Sequence, residues 1–287
     1  MLEIILFLVA FVGSVLASYF DLKTTEIPDE IPYVMMAIGI VGNLIKSYLT
    51  LSYWPFLLSV IVGLGFLGFG FIMYFAGQWG GGDAKILSAI GFLLPSLPPE
   101  IKVNFFFPFP LSFFFNVFLV GAIYIILYAL AMSIKNKKIW PMFFNSLKAS
   151  AKIIVVFSSA LILFFTVFGI IFVRYYPILL VKDAVLFTVI IASSFISLFI
   201  LWKFVKAVED VGFKKKIPIS ELKVGDVPID YKVWEGITEK DLKQIKKSDK
   251  KYVWIKEGVR FAPTFPLALI FTLFFGDGIL VLMNFFV

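Results

Sequence analysis

Two carboxylates in this chain stand at the edges of apolar stretches. Asp21 closes the first such stretch, in Ser18-Tyr19-Phe20-Asp21-Leu22-Lys23-Thr24-Thr25-Glu26-Ile27-Pro28-Asp29. Asp83 opens another, in Gly80-Gly81-Gly82-Asp83-Ala84-Lys85. Two carboxylates held close together can share one proton, because both cannot cheaply ionise at short range. With a water between them, one takes a proton from the water while the other protonates a scissile carbonyl. That is the working part of an aspartic protease, and it needs neither metal nor imidazole. The bland reading of Asp83 is a helix cap, since an acid favours the positive end of a helix.

Composition narrows the alternatives. The chain has no cysteine and no histidine, which removes thiol nucleophiles, the Ser-His pair and the His-Glu-x-x-His zinc site. Carboxylates, Lys and Tyr remain for acid/base work. The 287 residues are 61% hydrophobic and 16% charged, where a soluble domain is about half apolar and about a quarter charged, so this is a membrane protein.

The carboxylates must be positioned by membrane helices, each needing about 20 apolar residues. Such stretches lie at about 2–20, 31–50, 54–77, 110–133, 152–173, 184–205 and 264–286, with a shorter one at about 84–97. The expected fold is an all-α polytopic membrane protein of about eight transmembrane helices, with a small α+β cytoplasmic domain inserted before the last helix. Its expected parts are residues 1–205, the soluble unit 206–262 and the last helix 263–287. The first stretch has no preceding Lys or Arg and reads as a retained span rather than a secretory signal. With eight spans, all but four of the 26 Lys and Arg fall on one side, the four being Lys46, Lys102, Arg174 and Lys182. Cytoplasmic loops carry the basic excess, so both termini are expected outside and Asp21 and Asp83 at the cytoplasmic ends of their helices.

Between 204 and 263 the chain is charged and mixed. Ile217-Pro218-Ile219, Val224 to Tyr231 and Tyr252 to Ile255 read as short strands, and Thr238 to Ile245 as a helix capped by Thr238. The many lysines there suit a surface drawn to anionic membrane lipid. Nucleic acid is not an expected partner.

Other acids carry competing readings. Glu3 and Asp183 sit at span ends and are read as structural. Asp277, in Phe275-Gly276-Asp277-Gly278, lies deep in the last stretch, where it either caps a helix break or serves as an ion site. Glu26, Asp29 and Glu30 form either a solvated loop capping the second span or an anionic landing site for a basic substrate segment. Lys85 either pairs with a catalytic or substrate carboxylate or snorkels to the interface.

At these residues the sequence resembles the prepilin and preflagellin peptidases, a family of membrane aspartyl proteases. Gly80-Gly81-Gly82-Asp83-Ala84-Lys85 matches their Gly-x-Gly-Asp-x-Lys box, and Asp21 with Ile27-Pro28-Asp29 matches their first-aspartate box. The likeness covers roughly residues 1–130 and extends loosely to the end, where the chain looks like archaeal members. The resemblance implies Asp21 and Asp83 as the catalytic pair, and a prepilin or preflagellin precursor with a basic leader and an apolar helix as substrate. It also implies that Gly80, Gly81 and Gly82 admit an extended substrate strand and offer N–H groups to it. Bacterial relatives often carry a Cys-x-x-Cys zinc loop and methylate the new N-terminus. This chain lacks the loop, so peptidase activity without a cofactor or methyl transfer is expected. The presenilin-type relatives share Gly-x-Gly-Asp and a Pro-Ala-Leu box, which only Pro266-Leu267-Ala268-Leu269 approaches. The competing class is an ion or small-solute transporter using intramembrane carboxylates. A protease requires Asp21 and Asp83 to be neighbours; a transporter does not.

Overall fold

A computed structural model describes residues 1–98, 103, 105–175, 181–229, 236–247, 251–256 and 258–281, without the side chains of 172–175, 181, 183, 184 and 187. Lys102, the side chains of Arg174 and Asp183, and residues 282–286 of the expected last span lie outside that description. The chain is mostly helical, and six of its helices are long and apolar enough to cross a membrane. It divides into two compact units, residues 1–127 with 216–287, and residues 128–215.

In the first unit, α1 (Leu2–Thr24), α2 (Glu30–Leu49) and α3 (Trp54–Phe75) surround the short α4 (Gly81–Leu93). Thirteen residues rise only ~20 Å, well short of a hydrocarbon layer of about 30 Å. α4 is instead enclosed by protein: every residue from Asp83 to Leu93 is buried except Lys85. Close approach explains how. A Cβ on Gly39 would lie 2.7 Å from the Phe92 backbone, and one on Gly70 would lie 2.7 Å from Ala84, so α2 and α3 pack backbone to backbone against α4. The carbonyls that end α4 have no later N–H of their own helix to bond. Asn43 Nδ2 and Ser59 Oγ donate to the Phe92 carbonyl at 2.9 and 2.6 Å, and Ser88 Oγ donates to Gly63 O at 2.8 Å. Such interhelical bonds contribute about 0.6–2 kcal/mol each in a membrane. At this same end, Glu3 of α1 pairs with Lys46 of α2.

The same unit contains the start of α5 (Phe109–Lys135) and the short α9 (Thr264–Phe275). Phe113, Val117, Phe265, Ala268 and Leu269 join Ile86, Leu87 and Ile90 of α4 in one buried cluster. α9 breaks at Gly276, whose φ of 65° is a left-handed conformation that glycine adopts readily, and helix resumes at Gly278. Asp277 sits in that break. Its Oδ2 accepts from Phe106 N (2.5 Å) and Phe107 N (3.4 Å), and its Oδ1 from Ser112 Oγ. One turn along α5, Asn116 donates to Thr272 Oγ1 and Gly276 O and accepts from Gly278 N. Asp277 thus lies in a helix break, but its carboxylate engages the segment entering α5 and Ser112 rather than an N–H of the broken helix.

A small core of Ile217, Ile219, Leu222, Ile237, Ile245, Val253 and Ile255 lies in sequence before α9. It is built from β1 (Lys214–Pro218), α8 (Glu239–Lys246) and β2 (Tyr252–Lys256), the two strands pairing as one sheet. Thr238 caps α8 through a reciprocal pair, Asp241 N to Thr238 Oγ1 at 3.3 Å and Thr238 N to Asp241 Oδ2 at 2.9 Å. Val224 to Ile229 does not form a strand: it turns, with a single bridge from Pro228 to Ile255, and residues 230 and 231 lie outside the description.

The second unit holds the end of α5 with α6 (Ile139–Tyr175) and α7 (Val181–Gly212). α6 and α7 pack together, with Ile139, Phe143, Phe204, Ala207, Val208 and Phe213 in their core. α6 has 37 residues, ~55 Å, and so begins well before the apolar stretch at 152.

Candidate active site

Asp21 continues a stripe of small inward residues on α1, Ala10, Gly13, Ser14, Ala17 and Ser18, at helical spacing. The helix ends one turn later, where Thr25 takes a left-handed φ of 63° and Thr24 Oγ1 donates to Phe20 O at 2.8 Å. Asp21 is therefore fixed on the buried face at a helix end. One carboxylate oxygen, Oδ2, accepts from the backbone N–H of Ala262 at 3.0 Å.

Asp83 is placed by a tight hairpin between α3 and α4. Gly77 follows α3 with φ 68°, its N–H bonding Tyr74 O and that of Gln78 bonding Met73 O, each at 2.9 Å. This pair of bonds is a Schellman ending, which reverses the chain. Gly80 then starts α4 in an extended conformation, φ −74° and ψ 155°, and donates its N–H to Asp83 Oδ2 at 3.1 Å. The bland reading of Asp83 is thus partly right: it caps α4 from the third helical position. Its other oxygen, Oδ1, is buried with no hydrogen-bond partner among the described residues.

Asp21 and Asp83 are each 7% exposed, and Asp21 is close enough for its charge to act on Asp83. Each has one oxygen held by a backbone N–H, that of Asp83 by Gly80 three residues earlier and that of Asp21 by the distant Ala262. Arg260 adds a positive charge that acts on Asp21. Such a pair can exchange protons with a small molecule held between its members.

The remaining expected site residues fall in different places. Gly81 and Gly82 form the first turn of α4, and neither they nor Gly80 has a positive φ. The reason for glycine at 82 is space: a Cβ there would lie 3.0 Å from Cβ and Cδ1 of Ile27. At Gly81 a Cβ would meet only Tyr74, at 3.8 Å. Lys85 pairs with Asp29, Nζ to Oδ1 at 2.6 Å, and sits over the Tyr33 ring at 5.3 Å. It therefore pairs with neither Asp21 nor Asp83, and Asp29 is not a free acid. Glu26 and Glu30 are exposed and form no ion pair among the described residues.

Reading the sequence alone missed Trp79, Phe261 and Ala262. Ala262 contributes only its backbone and lies 241 positions from Asp21, so no local spacing marks it. The available signal was Phe261-Ala262-Pro263 just before the last apolar stretch.

Six helices long and apolar enough to cross a membrane mark a multi-pass membrane protein, and its first unit holds two buried aspartates at helix ends. Residues 8–126 match the model of the type IV leader peptidase family, a stretch that contains both Asp21 and Asp83. The chain is 24% identical over 181 residues to the prepilin peptidase EppA of Methanothermobacter thermautotrophicus, covering 58% of this chain and 46% of that protein. It is 30% identical over 149 residues to a preflagellin peptidase of Methanococcus voltae, with 47% and 62% covered. A preflagellin peptidase of Methanocaldococcus jannaschii is 32% identical over 89 residues, with 31% and 38% covered. The chain thus spans about half the length of the curated relatives it matches.

Proposed function

We propose that this chain is a membrane aspartyl endopeptidase that removes the leader of a type IV prepilin-like or preflagellin precursor at the cytoplasmic membrane face. The observation that carries the proposal is that Asp21 and Asp83, 62 positions apart in sequence, are both buried at helix ends with Asp21 near enough for its charge to act on Asp83. One carboxylate takes a proton from water as its oxygen attacks the scissile carbonyl carbon, and the other protonates the carbonyl oxygen. Transfer of a proton to the amide nitrogen then releases the new N-terminus as the C–N bond breaks. The unpaired Asp83 Oδ1 supports a role in holding or moving that proton. In this reading the N–H groups of Gly81 and Gly82, in the unsatisfied first turn of α4, meet the extended substrate strand.

If the short, enclosed α4 and the short α9 count with the six long helices as eight crossings, the Lys/Arg distribution sets the aspartates on the cytoplasmic side. In this reading the charged chain of the expected 206–262 unit that follows the end of α7 at Gly212 is cytoplasmic, and its lysines meet anionic lipid. Exposed Glu26 and Glu30 attract the basic leader. Asp277 supports this reading over a transporter, because backbone and Ser112 donors already engage both its oxygens. The test is incubation of the purified chain with a preflagellin-type precursor. Loss of the leader is expected; an intact precursor under conditions where a curated relative cuts it would overturn the proposal.

A further inference from the structure

We propose that the segment Arg260-Phe261-Ala262 is a third element of the active site, in which Phe261 is a positioning residue that sets Asp21 against Asp83. This rests on the peptidase reading above. The contacts run in a closed path. Ala262 N–H donates to Asp21 Oδ2 at 3.0 Å. Its neighbour Phe261 packs on Trp79, ring centroids 5.4 Å apart and planes at 32°. Trp79 precedes Gly80, whose N–H holds Asp83 Oδ2 at 3.1 Å. Each aspartate is thus held by the amide directly beside one of two rings that touch each other.

The rings are themselves fixed. Trp79 meets Phe69, Phe118 and Phe265 at centroid distances of 5.9, 5.9 and 6.1 Å, so α3, α5 and α9 all bear on it. Phe261 is buried, and its tip is seated against Gly121 of α5. A Cβ on Gly121 would lie 2.9 and 3.0 Å from Cε2 and Cζ of that ring, closer than real contacts allow. Glycine at 121 therefore leaves the ring its place, and an alanine there pushes the ring without touching either aspartate. Because the aspartates must hold one water between them, a displacement of about 1 Å costs on the order of a hundredfold in rate.

The experiment measures kcat and KM separately for cleavage of a preflagellin-type precursor by the purified full chain, with thermal unfolding of each variant. Phe261→Leu and Gly121→Ala should each lower kcat tenfold or more with KM within twofold. The double variant should be no slower than Phe261→Leu alone, because the added methyl then meets no ring tip. Trp79→Phe, which keeps a ring against Phe261, should retain more kcat than Trp79→Leu. Should Phe261→Leu fail to fold, Gly121→Ala carries the test. Asp21→Asn and Asp83→Asn run beside them. If those two cleave normally, the peptidase reading itself falls. If they are inactive while Phe261→Leu and Gly121→Ala keep wild-type kcat, or change KM alone, the positioning role is overturned and the peptidase reading stands.

Discussion

Lys85 Nζ lies 2.6 Å from Asp29 Oδ1, joining the second turn of α4 to the N-cap of α2. The pair separates the acids near Asp21 into two kinds. Asp29 is engaged, and Glu26 and Glu30 are exposed acids with no ion pair among the described residues. Neutralising Glu26 and Glu30 together should raise KM for a basic-leader precursor and flatten its salt dependence, since exposed charge acts over only about 8 Å at physiological salt. Asp29→Asn should leave that salt dependence in place and cost about 1 kcal/mol or less in stability, as expected for a pair whose aspartate is largely exposed. Steady-state kinetics at several salt concentrations separates the two. A fall in kcat at constant KM for the Glu26/Glu30 variant would contradict the steering role.

The glycines before Asp83 should differ in tolerance. Gly82→Ala sets a Cβ 3.0 Å from Ile27, directly beside the catalytic candidate, and should lower cleavage on the order of a hundredfold while the helices stay folded. Gly81→Ala meets only ordinary contact and should cleave at close to the wild-type rate. Trimming the obstacle with Ile27→Ala should restore part of the Gly82→Ala loss. Equal rates for all three variants would show that the run is only a linker.

This pattern marks where sequence reading succeeds and where it stops. The apolar stretches that became α1, α2, α3 and α5 are legible because hydropathy reports contact with hydrocarbon. It does not report where helical hydrogen bonding ends, so α6 begins at Ile139 and α7 runs to Gly212, both beyond their apolar cores. Thr238 was legible as a cap because a capping box is local. The Asp21–Ala262 bond, the Trp79–Phe261 contact and the Lys85–Asp29 pair join distant segments, and no periodicity in one chain encodes them. In the glycine run no φ is positive, and it is the distant Ile27 that supplies the constraint at Gly82.

Asp277 should matter for stability rather than chemistry. Asp277→Ala removes the acceptor of the Phe106 and Phe107 N–H groups and one of the two acceptors of the Ser112 hydroxyl, hydrogen bonds to a charged group contributing about 1.5–3 kcal/mol each. Thermal unfolding in detergent should occur at clearly lower temperature, with cleavage per folded molecule nearly unchanged. Full stability with abolished cleavage would instead make Asp277 part of the reaction.

Cleavage should persist in chelators and thiol-alkylating reagents, because the chain has neither histidine nor cysteine to hold a metal or act as nucleophile. Inhibition by a chelator that zinc reverses would contradict a mechanism built on two carboxylates.

The central claim is that Asp21 and Asp83 act as one unit. The direct measurement is the cleavage rate of Asp21→Asn, Asp83→Asn and the double variant, each shown by thermal unfolding to be folded. Each single variant should lose nearly all activity, and the double should be little slower than either, because residues that act together are not additive. Wild-type cleavage by either single variant would contradict the account.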